Sequence, residues 1–102
     1  MLDTRVALLQ ALMEGESYGL EIIERVRAAS RGKLVLLQGR VYPVLRELEA
    51  EGMIAGFDGE PQPDRGGRPR RYYRLTALGR RTAVGDAEAI FGVLRPTLAG
   101  NS

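Results

Sequence analysis

The sequence predicts a mainly α, α+β domain in which three helices precede a two-stranded hairpin and one long helix follows it. Three observations carry this. Apolar residues recur at helical spacing in four stretches, FDGEPQPDRGGRP forms a run of turn formers between the third and fourth, and residues 65–81, RGGRPRRYYRLTALGRR, hold seven arginines, two adjacent tyrosines and no acid. At 102 residues the chain has room for a single modest core.

Each element has its own signal. Leu2, Val6, Leu9, Leu12 and Met13 share a helical face, with Asp3 or Thr4 as candidate cap and Gly15 as the stop. Ser17 is the expected cap of a second helix whose face carries Leu20, Ile23, Val26 and Ala29 before Gly32 interrupts. Lys33 to Leu37 is too short for a helix and reads as a short strand or an extended link. Val41, Val44, Leu45 and Leu48 predict a third helix over about residues 39–51, stopped at Gly52, with Pro43 tolerated near its start because first-turn amides have no internal partner. Met53, Ile54 and Phe57 lead into the turn formers, and Arg70 to Leu75 returns as a strand. Period-two geometry places Arg71, Tyr73 and Leu75 on one face of it and Arg70, Tyr72 and Arg74 on the other. Thr76 is the expected cap of a last helix from about Ala77 to Arg95, ended by Pro96. Its apolar stripe of Leu78, Val84, Ala87, Ile90, Phe91 and Leu94 exceeds what a small core needs. It is open to two readings: packing on the chain's own core, or pairing with a second copy about a twofold axis. The expected division is residues 1–76 as one domain and 77–102 as a C-terminal dimerisation helix and tail, in a single compact unit.

Composition narrows the function. Fifteen basic residues face thirteen acidic ones; seven of the basic residues lie in 65–81, so that segment carries +7 while the remainder carries −5. Such one-sidedness suits a phosphate-bearing partner. The bland alternative is a solvated charge run, but alternating glycine, arginine and aromatic residues fit a hairpin better. With no cysteine, no histidine and a single lysine, Lys33, thiol chemistry and imidazole catalysis are excluded; the expectation is a protein that is not an enzyme and needs no cofactor or metal. No apolar run approaches the ~20 residues of a membrane span, and Asp3 with an amphipathic start is unlike a signal peptide, so a cytoplasmic location is expected.

Three helices followed by a hairpin is the element order of a winged helix-turn-helix, whose third helix enters the major groove of double-stranded DNA while the wing follows the backbone. At the start of helix three, Gln38 suits an adenine edge and Arg40 a guanine or a phosphate; Gly39 lies between them. Tyr42 reads either as a phosphate or thymine contact or as packing. Arg46, one turn on, reads either as a DNA contact or as a partner of a nearby glutamate. In the wing, Gly66 and Gly67 permit close backbone approach, and Arg68, Arg70 and Arg71 are the expected DNA contacts. Tyr72 and Tyr73 suit either base stacking or core packing, and packing is expected for at least one of them.

Ser17-Tyr18-Gly19-Leu20-Glu21-Ile22, Gly39 to Glu49 with Gly52-Met53-Ile54, and Gly67 to Thr76 with Gly79-Arg80 together resemble the PadR family of transcriptional regulators. The resemblance implies a homodimeric bacterial repressor of the short subgroup, bound to an inverted repeat near a promoter, with the last helix forming the dimer. It also implies that a small phenolic or lipophilic effector is a possible partner, for which Tyr18, Ile90 and Phe91 are candidate lining residues. An alternative of another class is a winged-helix adaptor that uses its basic wing on an acidic protein. Arg40 departs from the small hydroxyl residue usual before Val41, which points to a different base preference. Asp58 to Asp64 form an acidic loop beside the wing, and Gly79, Gly85 and Gly92 each weaken the last helix by roughly 1 kcal/mol relative to alanine.

Overall fold

The computed structural model describes residues 3–99, with side chains through Ile90. Its helices are α1 (Thr4–Leu12), α2 (Gly19–Ala29), α3 (Gln38–Ala50) and α4 (Ala77–Ala99); its strands are β1 (Ser17–Tyr18), β2 (Ile54–Pro61) and β3 (Pro69–Leu75). The core lies where α1, α2 and α3 meet the sheet. Leu8, Leu9 and Leu12 of α1, Ile22 of α2, Val41, Leu45 and Leu48 of α3, and Ile54 of β2 are completely or almost completely buried. Each large aliphatic side chain removed from water in this way contributes about 1.5–3 kcal/mol.

The helix ends follow local chemistry. The Asp3 carboxylate accepts from the Val6 amide at 2.9 Å and caps α1, as its position suggests. At the end of α3, Met53 N–H donates to the Leu48 carbonyl and Gly52 N–H to that of Glu49. This is a Schellman closure, and Gly52 supplies the left-handed residue it requires, with φ 78°. Thr76 caps α4: its Oγ1 accepts from the Gly79 amide at 3.0 Å and donates toward the carbonyl of Gly52 at 2.6 Å.

Several expectations are corrected. The hairpin is part of a three-stranded sheet in the order β1-β3-β2, because Ser17 and Tyr18 pair antiparallel with Tyr73 and Tyr72. Ser17 is therefore a buried strand residue and Tyr18 holds the cap position of α2; the Ser17 hydroxyl donates to Glu21 at 2.5 Å. On α2 the fully buried residue is Ile22, while Leu20 and Ala29 are exposed. Of the two readings open for residues 33–37, the structure has the extended link, held to the core by Leu36 and in part by Leu34. Pro43 lies in the second turn of α3, so the Gly39 carbonyl lacks its helical donor. Finally, α4 continues through Pro96 to Ala99. Leu2, Phe91 and Leu94, assigned to helix faces from the sequence, and the glycine at position 92 have side chains or positions outside those described.

Candidate nucleic-acid interface

The α3 core residues face inward, and this turns the other side of its first turns outward. Gln38, Gly39, Arg40 and Arg46 are all exposed. Tyr42 is half-buried: it packs across the start of α2, where a Cβ on Gly19 would lie 2.6 Å from the Tyr42 hydroxyl oxygen. Glycine at this point lets the Tyr42 ring lie across the start of α2, and packing is a real part of what Tyr42 does.

The wing is folded by its own turn chemistry. Residues Pro63–Arg65 make a single 3-10 turn, after which Gly66 and Gly67 take left-handed φ values of 68° and 83°. Gly67 N–H donates to the Gln62 carbonyl at 3.0 Å and the Arg68 Nε to that of Arg65 at 3.1 Å. The two glycines are therefore needed to close the tip, and Arg68 projects from it exposed.

β3 divides as period two requires. On one face Tyr73 is buried, and burial pushes its hydroxyl above the ordinary value of 10.0. On the same face the Arg71 guanidinium pairs with Glu49 at 3.0 Å and Asp58 at 3.5 Å, joining α3 to the hairpin. The other face carries a ladder of cations and rings. Arg70 lies 4.5 Å above the Tyr18 ring, Tyr18 meets Tyr72 edge-on at 5.4 Å, Tyr72 stacks on Phe57 at 5.7 Å, and Arg74 lies 5.6 Å from Phe57. Both tyrosines of the pair are thus engaged in packing, Tyr73 in the core and Tyr72 in the ladder.

Between wing and helices is a cleft of about 130 Å³ lined by Tyr18, Gly19, Leu20, Tyr42, Arg65, Arg70 and Arg71. The first turn of α2, which no side chain caps, opens beside it. The guanidinium groups of Arg65 and Arg70 give the cleft a cationic wall, while Glu21 occupies the first turn of α2. Among the described residues Arg40, Arg46, Arg65, Arg68 and Arg70 make no ion pair, whereas Arg5, Arg25, Arg27 and Arg71 do. Arg46 therefore does not pair with a glutamate of its own helix.

Of the residues expected from the sequence to meet DNA, Gln38, Gly39, Arg40, Arg46, Gly67 and Arg68 are exposed on helix and wing, and Arg70 is half-buried against Tyr18. Sequence reasoning missed Arg65 and the positioning of Arg70 by Tyr18. The contact with Tyr18 depends on β1, a two-residue strand that has no sequence signature of its own.

On α4, Gly79 and Ala83 face the core, and the Gln10 amide nitrogen donates to the Ala83 carbonyl at 2.7 Å. Leu78, Val84 and Ile90 stay 41%, 40% and 44% exposed, and Ala87 is exposed beside them. The side chains of Phe91 and Leu94 lie outside the described residues. No described helix is long and apolar enough to cross a membrane, and among the described residues no cluster of acidic side chains is suited to a metal ion.

A helical bundle whose third helix stands exposed beside a basic hairpin defines a winged-helix protein. The model of the transcriptional regulator PadR-like family matches residues 8–84, and the chain belongs to that family. Its fold and family are those of transcriptional regulators rather than enzymes. The chain is 31% identical over 98 residues to the transcriptional regulator Rv3488 of Mycobacterium tuberculosis, a match covering 96% of this chain and 85% of that one. An uncharacterised protein of Lysinibacillus sphaericus is 29% identical over 73 residues; the match spans 72% of this chain and 64% of that protein. Among solved structures, a transcriptional regulator from Clostridium thermocellum superposes with a TM-score of 0.75 at 26% identity, covering 95% of this chain and 87% of the other. Bacillus subtilis PadR in complex with operator DNA shares the fold, with a TM-score of 0.69 at 22% identity over 79% of this chain and 44% of that one.

Proposed function

We propose that the protein is a homodimeric transcriptional repressor that binds an inverted-repeat operator in double-stranded DNA through α3 and the wing. The observation that carries this reading is the cleft in which arginines of the wing converge on Tyr42 of α3 and the uncapped start of α2. In the assembly, Gln38 and Arg40 meet base edges in the major groove, while Arg65, Arg68 and Arg70 meet backbone phosphates; Gly39 allows close approach and Arg46 extends the contact along α3. Arg71, held by Glu49 and Asp58, contributes to DNA binding mainly by fixing the wing against α3. The exposed stripe of Leu78, Val84, Ala87 and Ile90, continued in sequence by Phe91 and Leu94, pairs with its copy. Two recognition helices then fall about 34 Å apart, one turn of DNA. The Bacillus subtilis relative, described in complex with operator DNA, supports the DNA partner. The test is a binding titration of single variants on an enriched operator: Arg68→Ala and Arg70→Ala should weaken all sequences alike, and Gln38→Ala and Arg40→Ala should relax base discrimination. Equal, sequence-independent losses from all four contradict these roles.

A second reading, regulation by a small effector, is favoured by an open, mainly apolar groove of about 280 Å³ between α1 and α2, lined by Ala7, Ala11, Val26, Ala29 and Leu34 with Gln10, Glu14, Arg25 and Ser30 at its polar side. It does not include Tyr18 or Ile90; Tyr18 lines the wing cleft instead. An effector selective for the folded state raises the melting temperature; a panel of phenolic and lipophilic compounds without such a shift contradicts this reading.

A further inference from the structure

We propose that Leu37 is a specificity-determining residue that contacts the C5-methyl group of a thymine in the operator, an assignment that rests on the DNA-binding reading above. Leu37 occupies the cap position of α3, with φ −92° and ψ 138°, and makes no side-chain cap hydrogen bond. Serine, aspartate or asparagine would satisfy a first-turn amide there, and leucine cannot. Leu37 is also 70% exposed, more than any other large hydrophobic residue described, and Val35 beside it is 55% exposed. Leu36 between them is buried in the core cluster and Leu34 packs partly against it, so the link is anchored while Val35 and Leu37 turn outward. A residue that breaks both the capping rule and the burial rule at one position, without compensation inside the protein, points to a use outside it.

Its surroundings narrow that use. Leu37 directly precedes Gln38, Gly39 and Arg40, all exposed, so its apolar surface is continuous with the α3 surface assigned to base edges. Glutamine suits adenine N6 and N7, and arginine suits guanine O6 and N7, but neither reads the C5-methyl group that thymine presents in the major groove. An exposed leucine next to Gln38 supplies that missing apolar contact. The adenine read by the amide and the methyl read by the leucine belong to the same or to adjacent base pairs.

The experiment uses full-length protein and the duplex it enriches most strongly from a random library, resynthesised with each thymine replaced in turn by deoxyuridine, which removes only the methyl group. Wild-type protein should bind about fourfold more weakly for each recognised methyl group removed, at the same position in each half-site. Leu37→Ser should bind thymine and deoxyuridine duplexes equally, and should melt no lower than wild type, because serine restores the cap. Equal binding of all duplexes by the wild type overturns the assignment, as does a deoxyuridine penalty that persists in Leu37→Ser. Failure to enrich any sequence overturns the regulator reading and this inference with it. Enrichment followed by indifference to the methyl group overturns this inference alone.

Discussion

Replacing Gly79 by alanine sets helix propensity against packing, and the two predict opposite signs. Propensity favours alanine by up to about 1 kcal/mol inside a helix. In the fold, however, a Cβ on Gly79 would sit 1.8 Å from the Met53 carbonyl oxygen, 2.8 Å from its carbon and 3.2 Å from Leu75 Cδ2. Carbon–oxygen contacts normally fall near 3.3–3.6 Å, so α4 must retreat by roughly 1.5 Å. The Met53 carbonyl has no room to yield cheaply, because it accepts from the Thr76 amide at 3.0 Å and shares the Thr76 hydroxyl proton, at 3.0 Å, with the Gly52 carbonyl. Overpacking of this kind costs about 1–3 kcal/mol, and loosening the two hydrogen bonds adds roughly 1 kcal/mol each. After the propensity gain, Gly79→Ala should destabilise the protein by about 2–4 kcal/mol, lowering the melting temperature by roughly 10–20 °C. Urea unfolding at fixed protein concentration measures this directly, with the m-value checked for constancy. Gly39→Ala is the internal control. Its Cβ meets nothing within 4 Å, so stability should hold or rise by up to about 1 kcal/mol even as DNA affinity falls. A Gly79→Ala protein as stable as wild type would show that α4 does not pack against the α3–β2 turn in this way.

Other outcomes follow from the same geometry. Arg70→Ala should flatten the dependence of log affinity on log salt by about 0.9 for each phosphate that the arginine neutralises, and Tyr18→Leu, which removes the ring beneath Arg70, should reproduce part of that change; an unaltered slope for both would remove the wing root from the interface. Val84→Asp should convert the dimer to a monomer in sedimentation without unfolding it, because Val84 is exposed in the single chain; persistence of the dimer would place the interface elsewhere. The Arg5 guanidinium donates to Glu51 and holds its carboxyl below the ordinary 4.5. A depressed folded-state value gives stability that is present above the unfolded value and lost as the pH falls through the folded one. Arg5→Gln should therefore diminish the acid limb of the stability curve below about pH 4.5 and leave DNA binding at neutral pH unchanged, as read by melts at a series of pH values and a titration at pH 7.

Much of this architecture is legible in the sequence because local signals agree with tertiary ones. Val41, Leu45 and Leu48 recur at helical spacing and are all fully buried, and Asp3, Gly52 and Thr76 act as the stops and starts their chemistry suggests. The failures occur where a long-range contact decides. Ser17 has the chemistry of a cap, yet pairing with Tyr73 draws it into a strand and passes the cap position to Tyr18. The apolar run from Leu34 to Leu37 has strand composition, yet it stays extended and unpaired, with Leu36 buried in the core and Leu34 packed partly against it. Arg71 reads like any other wing arginine until the fold brings Glu49 and Asp58 to it from two other elements. The exposed helix-three residues are legible from type and spacing, whereas the cleft at the wing root depends on β1 and is not.

The decisive experiment incubates purified protein with random genomic fragments at a low and a high salt concentration and sequences the DNA that stays bound. A dimer that reads bases through α3 and phosphates through the wing should recover an inverted repeat with half-sites about one helical turn apart, retained at the higher salt. Binding that vanishes with salt and yields no motif would contradict base reading by α3, and absence of binding at either salt would contradict the DNA interface itself and favour an acidic protein partner for the wing.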